Sequence, residues 1–420
     1  MLPLLLLAGL VLEPVPHDEP VLAARVADID ADGHEDVVAV TAKDLLLYKR
    51  GKGPAIKRPA APLTIVGRGL LAVVRDGKVH RITDPFGEAV ESAAGPASLL
   101  AILGKTKPAL LQSPGDLDGD GRDDPLLCAP DGFHTPKGIV PVIPAARLEI
   151  KRNDAFAVEY GIPAAVVGSW TGKGRQLAFF HEGSVLAFDG KKEIERIALP
   201  LSSGKEAAAI RRNEVFIEDI DGDGRLDLLL VVARGKTELF AKFEAVARLF
   251  SGGRVYNHEK KGFYRPVSFV KVAGLLLRSD LVDVDGDGDL DLVMTTVTTS
   301  LASTVRTAAT GKAPGTYYVF RHDDKGFARK PAWTYDSPIP LSAFTDKPEA
   351  PVRFLPDYDE DGRPAGVVIG GDGVRLIHSR RGTFADGVRV AVKGAQPPAI
   401  GRQRAAVAHA GGVVIVEAKR

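Results

Sequence analysis

Short apolar runs separated by polar turns recur along the whole chain. VVAV and LLLY lie near residue 40, LTIV and LLAVV near residue 70, LLLVV begins at Leu228, LVM at Leu292, and AAVAHA and VVIVEA close the chain. Runs this short, rich in Val and Leu and bounded by Gly and Asp, predict buried strands and tight turns. From residue 21 they group into a repeating unit of strand, loop, strand, tight turn and strand. Turns are expected at Asp76-Gly77, Asp131-Gly132 and Asp372-Gly373, where Asp-Gly supplies the positive φ of a hairpin. Two inserts depart from the pattern. In KTELFAKFEAVARLF (236 to 250), Leu239, Phe243, Val246 and Phe250 stand at helical spacing, so a short amphipathic helix competes with a strand. The other, residues 298 to 316, is polar and small and reads as an exposed loop.

The loop within the unit carries the candidate chemistry. DIDADGHED from Asp28, DLDGDGRDD from Asp116, DIDGDGRLD from Asp219, DVDGDGDLD from Asp283 and DYDEDGRPA from Asp357 are near-copies of one another. Carboxylates at positions 1, 3 and 5 repel one another at neutral pH unless a cation sits between them, and hard oxygen ligands suit calcium. Gly at position 6 allows the bend that turns the carbonyl of position 7 toward an ion. An EF-hand is excluded, because position 12 is Ala39, Leu127, Leu230, Met294 or Val368 where that motif needs Glu. Four loops instead have Asp at position 9 and run straight into an apolar strand. The metal-free alternative is an Asx-type turn, in which each Asp caps its own backbone.

These loops resemble those of the FG-GAP or VCBS-type repeats, similar to the integrin α-subunit propeller. VYNHEKKGF (255 to 263), VFRHDDKGF (319 to 327) and, more loosely, LIHSRRGTF (376 to 384) are similar to the family's second signature, a strand followed by a polar turn and Gly-Phe. The resemblance implies calcium held between two strands of a blade by positions 1, 3, 5 and 9 and the position-7 carbonyl. Carried over, the ligands are Asp28, Asp30, Asp32, His34 and Asp36, then Asp116, Asp118, Asp120, Arg122 and Asp124. They continue as Asp219, Asp221, Asp223, Arg225 and Asp227, then Asp283, Asp285, Asp287, Asp289 and Asp291, with His34, Arg122, Arg225 and Asp289 contributing only carbonyls. The last loop offers Asp357, Asp359, Asp361 and the Arg363 carbonyl but has Ala365 at position 9. A degenerate copy, SWTGKGRQL from Ser169, places Lys173 where a cation would sit and is expected to bind no metal.

First positions of successive loops, the degenerate one included, are 88, 53, 50, 64 and 74 residues apart. A period of roughly 50 residues built of strands alone predicts an all-β fold, a β-propeller of four-stranded blades. Loop counting gives seven blades and hairpin counting eight, with eight the expectation. VLAARVA (21 to 27) and VVIVEA are expected to pair and close the ring, in one propeller domain over residues 21 to 420.

The opening MLPLLLLAGLVLEPVP has an apolar run of about ten residues, the length of a signal-peptide core and too short for a bilayer span. Residues 1 to 16 are therefore expected to be an export signal, with a plain apolar strand as the alternative. Export to the cell surface, periplasm or medium agrees with calcium sites as weak as about 0.1 to 1 mM. The balance of 55 basic and 54 acidic side chains gives no reason to expect nucleic acid or an anionic membrane as partner. The single Cys128 excludes an intramolecular disulfide and reads as a buried thiol. The nine His form no metal-ligand pair, there is no nucleophile elbow, and Trp170 and Trp333 read as packing residues. The expectation is a monomeric calcium-binding module for an extracellular protein or glycan. A polysaccharide lyase or hydrolase on the same ring, and a metal-free structural propeller, are the alternatives.

Overall fold

The computed structural model describes all residues except 1–4, 8–9, 76–77, 88–89, 95–107, 130–131, 136–137, 141–146, 153–154, 161–164, 182, 200–209, 236–242, 253, 258, 341–351, 359, 371–372, 381–382 and 419–420. Almost every described element is a strand, as the short apolar runs require. The chain divides into two compact units, His17–Leu199 and Met1–Pro16 with Pro200–Arg420.

In the first unit, Ala23–Ala27, Asp36–Val40, Asp44–Tyr48 and Ile56–Pro59 form a four-stranded antiparallel meander. A second meander, from Leu63–Gly67 to Val90–Ala94, gains Ala109–Gln112 as a parallel fifth strand. That strand leads into the Asp116 loop, so the sheet after the loop, Leu127–Ala129, Gly132–Thr135 and Gly138–Val140, has only three strands. Pro125 explains the difference. It removes a ladder N–H directly after position 9, where the other loops continue with Val37, Leu228 and Leu292. Ala165–Gly168 to Lys192–Ala198 complete the unit's third meander.

The second unit contains meanders starting at Ile210–Glu218, Leu275–Val282 and Val352–Leu355. In its last sheet, Ala399–Ile400, Arg404–His409 and Gly412–Ala418 are joined by Leu10–Pro16. The chain ends do meet in one sheet, but the N-terminal partner is not VLAARVA. Among the described strands Ala23–Ala27 pairs with Asp36–Val40 alone, and the stretch read as an export signal supplies the strand, from Leu10 opposite Ala418 to Pro16 opposite Gly412. Counted over both units, seven of the described sheets contain a four-stranded blade-type meander, the number that loop counting gives and one fewer than the eight expected; a further sheet has three strands. The hairpin around the expected Asp76-Gly77 turn pairs as predicted, Arg75 with Lys78, while at the other two sites the glycine expected in the turn is already a strand residue, Gly132 opposite Ala129 and Gly373 opposite Gly370, so the connection falls one residue earlier.

Both inserts differ from the simplest reading. Phe243–Phe250 is a strand, paired on both sides, so the helical spacing there was coincidental. Leu239 lies outside the described residues, as does the side chain of Cys128. Within 298 to 316, Leu301–Thr310 is a helix. Ser300 caps it in a capping box with Ser303, and Gly311 ends it at φ 67°.

Consecutive sheets within each unit share a core. Val38, Val40, Leu45 and Leu47 pack with Val66, Leu71 and Val73, and Leu229, Val231 and Leu249 pack with Leu292, Met294 and Phe320. Burial on both faces accounts for the continuous apolar runs in place of alternation.

Candidate metal centres

Four of the five acidic loops join two strands of one sheet, while the Asp116 loop runs from Ala109–Gln112 in one sheet to Leu127–Ala129 in another. Ala27 pairs with Asp36, Glu218 with Asp227 and Val282 with Asp291, so the residue before position 1 stands opposite position 9. The position-2 side chain anchors the loop in the core. Ile29, Leu117, Ile220 and Val284 are all buried, and Tyr358 takes the same place in the last loop. That apolar residue is present in every copy of the motif, yet a reading centred on carboxylates passes over it.

The backbone pattern then repeats. One oxygen of Asp28, Asp116, Asp219, Asp283 and Asp357 accepts the position-6 glycine N–H, at 3.0, 2.9, 3.1, 3.1 and 2.7 Å. The position-5 carboxylate accepts the N–H of position 7, from Asp32 with His34 to Asp361 with Arg363. Both position 4 and position 6 have positive φ, with Ala31 at 60° and Glu360 at 56° where other loops use glycine.

Position 9 has a second task. Asp36, Asp227 and Asp291 are at most 1% exposed. One oxygen of each accepts the N–H of position 2, from Ile29, Ile220 and Val284. The other accepts an N–H just beyond the third strand, from Arg50 at 2.7 Å, Gly252 at 2.6 Å and His322 at 2.8 Å. Asp124 accepts from Leu117 and Asp118. Position 9 therefore ties three strands of a sheet together by its own hydrogen bonds. Burial pushes the carboxyls of Asp36 and Asp291 up to about 7 and that of Asp227 up to about 6, and raises those of Asp124, Asp219 and Asp285 as well.

Carboxylate oxygens converge in four of the loops. Asp28, Asp30 and Asp32; Asp116, Asp118 and Asp124; Asp219, Asp221 and Asp227; and Asp283, Asp285 and Asp291 each bring one oxygen within 4.8 Å of the others. Asp36 joins its loop as a hydrogen-bond acceptor and is not part of the first triad. Asp120, Asp223 and Asp287 lie at position 5 outside the triads, and Asp359 falls outside the described residues. In the Asp219 loop, Oδ1 of Asp219 is buried without a hydrogen-bond partner, and among the described residues the only basic group paired there is Arg225, 4.0 Å from Asp223. A buried carboxylate oxygen with no donor, beside two further carboxylates, fits a hard divalent cation.

The degenerate loop closes differently. Gly168 pairs with Gln176, so this loop is one residue shorter than the others. Oε1 of Gln176 accepts from Trp170 and Thr171, and its Nε2 donates to the Lys173 carbonyl. An amide can donate and accept where a carboxylate only accepts, so this loop is satisfied without a cation. Trp170 is buried, as a packing residue should be.

Elsewhere, the first strands of two adjacent sheets bring Arg278 and Arg353 to Asp280, at 2.8 and 3.4 Å. Glu214 accepts the N–H of Ser279. The sequence carried no signal for this cluster, whose members meet only through sheet packing. Its charges offset one another, which makes it a link between sheets.

No protein-family model and no curated protein matches the chain. Solved structures that are similar include the WD40 domain of SCAP from fission yeast, at TM-score 0.47 and 10% identity over 98% of this chain and 94% of that one. YCF48 from Cyanidioschyzon merolae is similar at TM-score 0.37 and 11% identity, over 98% and 99%. Virginiamycin B lyase from Staphylococcus aureus is similar at TM-score 0.34 and 8% identity, over 98% and 100%. Likeness at this level assigns no activity, and the fold rests on the strand order: an all-β chain of propeller-type blades, seven of them four-stranded among the described residues.

Proposed function

We propose that this chain is a calcium-stabilised propeller-type module that binds a protein or glycan outside the cytoplasm and performs no chemistry of its own. The observation that carries the reading is the Asp219 loop. Three of its carboxylates converge, one oxygen is buried without a donor, and no basic side chain among the described residues pairs with any of the three. Asp219, Asp221 and Asp227 would hold the ion. It would relieve repulsion among charges that burial already disfavours, and so stiffen the strand junction from which the Gly252 turn leaves.

Binding is assigned to the helix of the second insert and to the hairpin that follows Phe243–Phe250, since loops on a rigid scaffold are where recognition residues are most readily placed. The helix Leu301–Thr310 exposes Leu301 and Val305, each 62% accessible and one turn apart on the same face. The hairpin of Tyr256–Asn257 and Gly262–Phe263 exposes Phe263 and Tyr264. No helix among the described residues is long and apolar enough to cross a membrane.

The test is thermal unfolding of the full chain in calcium, in magnesium and in excess EGTA. A site filled at a hundredfold excess over its dissociation constant adds about 2.7 kcal/mol. A rise in midpoint specific to calcium, lost in Asp219→Ala, supports the reading; identical midpoints in all three conditions refute it.

A further inference from the structure

Three loops share one register, and one position in it differs. The pairs Val37 with Tyr48, Leu228 with Phe250 and Leu292 with Phe320 place the next residues, Lys49, Ser251 and Arg321, opposite Asp36, Asp227 and Asp291. Lys49 lies 2.7 Å from Asp30 and 3.6 Å from Asp32, at positions 3 and 5 of its loop, and the neighbouring Arg50 also donates to Asp32, at 3.0 Å. Arg321 pairs closely with Asp285 and lies 3.7 Å from Asp287, again positions 3 and 5. Lys49 and Arg321 are each also backed by an aromatic ring. The Lys49 ammonium is 5.0 Å from the centre of Phe86, and the Arg321 guanidinium is 5.9 Å from that of Trp333. Ser251 brings no charge. Its hydroxyl hydrogen-bonds to Asp227 and adds to the polar lining of the Asp219 loop.

We propose that Lys49 and Arg321 are built-in counter-ions that take a divalent cation's place in the Asp28 and Asp283 loops, so that these two loops hold their shape without metal while the Asp219 loop depends on it. This rests on the reading of the acidic loops as metal sites and assigns which of them need metal. A tethered cation is present at high effective concentration, and an incoming ion must displace it from two carboxylates. Stacking on Phe86 or Trp333 restricts the side chain in advance, which lowers the entropic cost of holding the pair. Displacement of a partly exposed pair of this kind weakens an ion's apparent affinity by about tenfold.

The experiment is calcium titration of the full chain by calorimetry, with native mass spectrometry to count bound ions, for the parent and for Arg321→Ser, Lys49→Ser, Arg321→Lys and Ser251→Arg. Arg321→Ser should gain one equivalent, or tighten one by about tenfold, and Lys49→Ser, which leaves Arg50 on Asp32, should shift in the same direction by less. Arg321→Lys, which keeps the charge, should not gain one, and Ser251→Arg should lose one. If Arg321→Ser folds only in calcium, the ion is doing what the guanidinium did, and the proposal stands. Calcium binding by the parent that none of these substitutions alters overturns the counter-ion proposal and leaves the metal reading in place. Absence of calcium binding in the parent and in every variant overturns both.

Discussion

Replacing Asp227 by Asn separates the two tasks of position 9. In the folded chain this carboxylate is 1% exposed and accepts from Ile220 at 3.0 Å and Gly252 at 2.6 Å. Burial raises its pKa from 3.8 to about 6. Below pH 3.8 the group is protonated in both folded and unfolded chains and contributes no pH dependence. As pH rises from 3.8 toward 6, the unfolded chain loses the proton first, so folding grows progressively less favourable; above 6 the full cost, about 3 kcal/mol, is present. Asn carries no such cost, but its NH2 must face one of the two backbone donors, which costs about 1 to 3 kcal/mol at every pH. In EGTA the variant should therefore be less stable than the parent at pH 4.5, and equal to it or more stable at pH 7.5. Added calcium at pH 7.5 should restore the parent's advantage, because the ion stabilises the ionised carboxylate. Urea unfolding at the two pH values measures the difference directly, and the other raised carboxyls cancel between parent and variant. A loss of stability of the same size at both pH values in EGTA would refute the buried-charge account.

Three further outcomes are expected. Removing residues 1 to 16 strips the strand that covers the Gly412–Ala418 edge from Pro16 to Leu10, so the shortened chain should melt lower and self-associate on a sizing column; an unchanged midpoint would show that this strand adds nothing. Gly33 has φ +83° and open space where a methyl group would project, so Gly33→Ala should cost about 1 kcal/mol by conformation alone, while Ala31→Gly, at φ 60°, should gain a similar amount by urea unfolding. Phe179 is fully buried, stacked on Phe188 at 5.7 Å and beside Phe133 at 5.1 Å, and Phe179→Ala should cost about 3 to 5 kcal/mol in the same assay.

Local chemistry was legible without the fold. Apolar runs bounded by Asp-Gly turns identified the blade hairpins, because turn geometry and burial on two faces are dictated within a few residues. The D-x-D-x-D-G spacing identified loops whose carboxylates converge, since a nine-residue turn with positive φ at position 6 leaves little choice of conformation. Helical spacing in 236 to 250 misled because a strand buried on both faces also carries apolar residues three and four apart.

What the sequence could not determine depends on contacts between residues far apart in the chain. Leu10–Pro16 reads from sequence as part of a leader, with a strand as the alternative, and its pairing with Gly412–Ala418 depends on an edge about 400 residues away. Ala109–Gln112 pairs in parallel with Leu63–Gly67, more than 40 residues earlier in the chain, and not with the strand after its own loop, where Pro125 lacks an N–H. The acidic loops look alike in sequence. Whether a loop's charges are met by Lys49 and Arg50, by Arg321 or by none of these is set by strand register, which brings a residue 17 or more positions away from its carboxylate partner into the loop. The sequence by itself determined where carboxylates cluster, because that is local stereochemistry; the tertiary structure decided which clusters already have a counter-charge, because Coulomb attraction depends on distance in space and not along the chain.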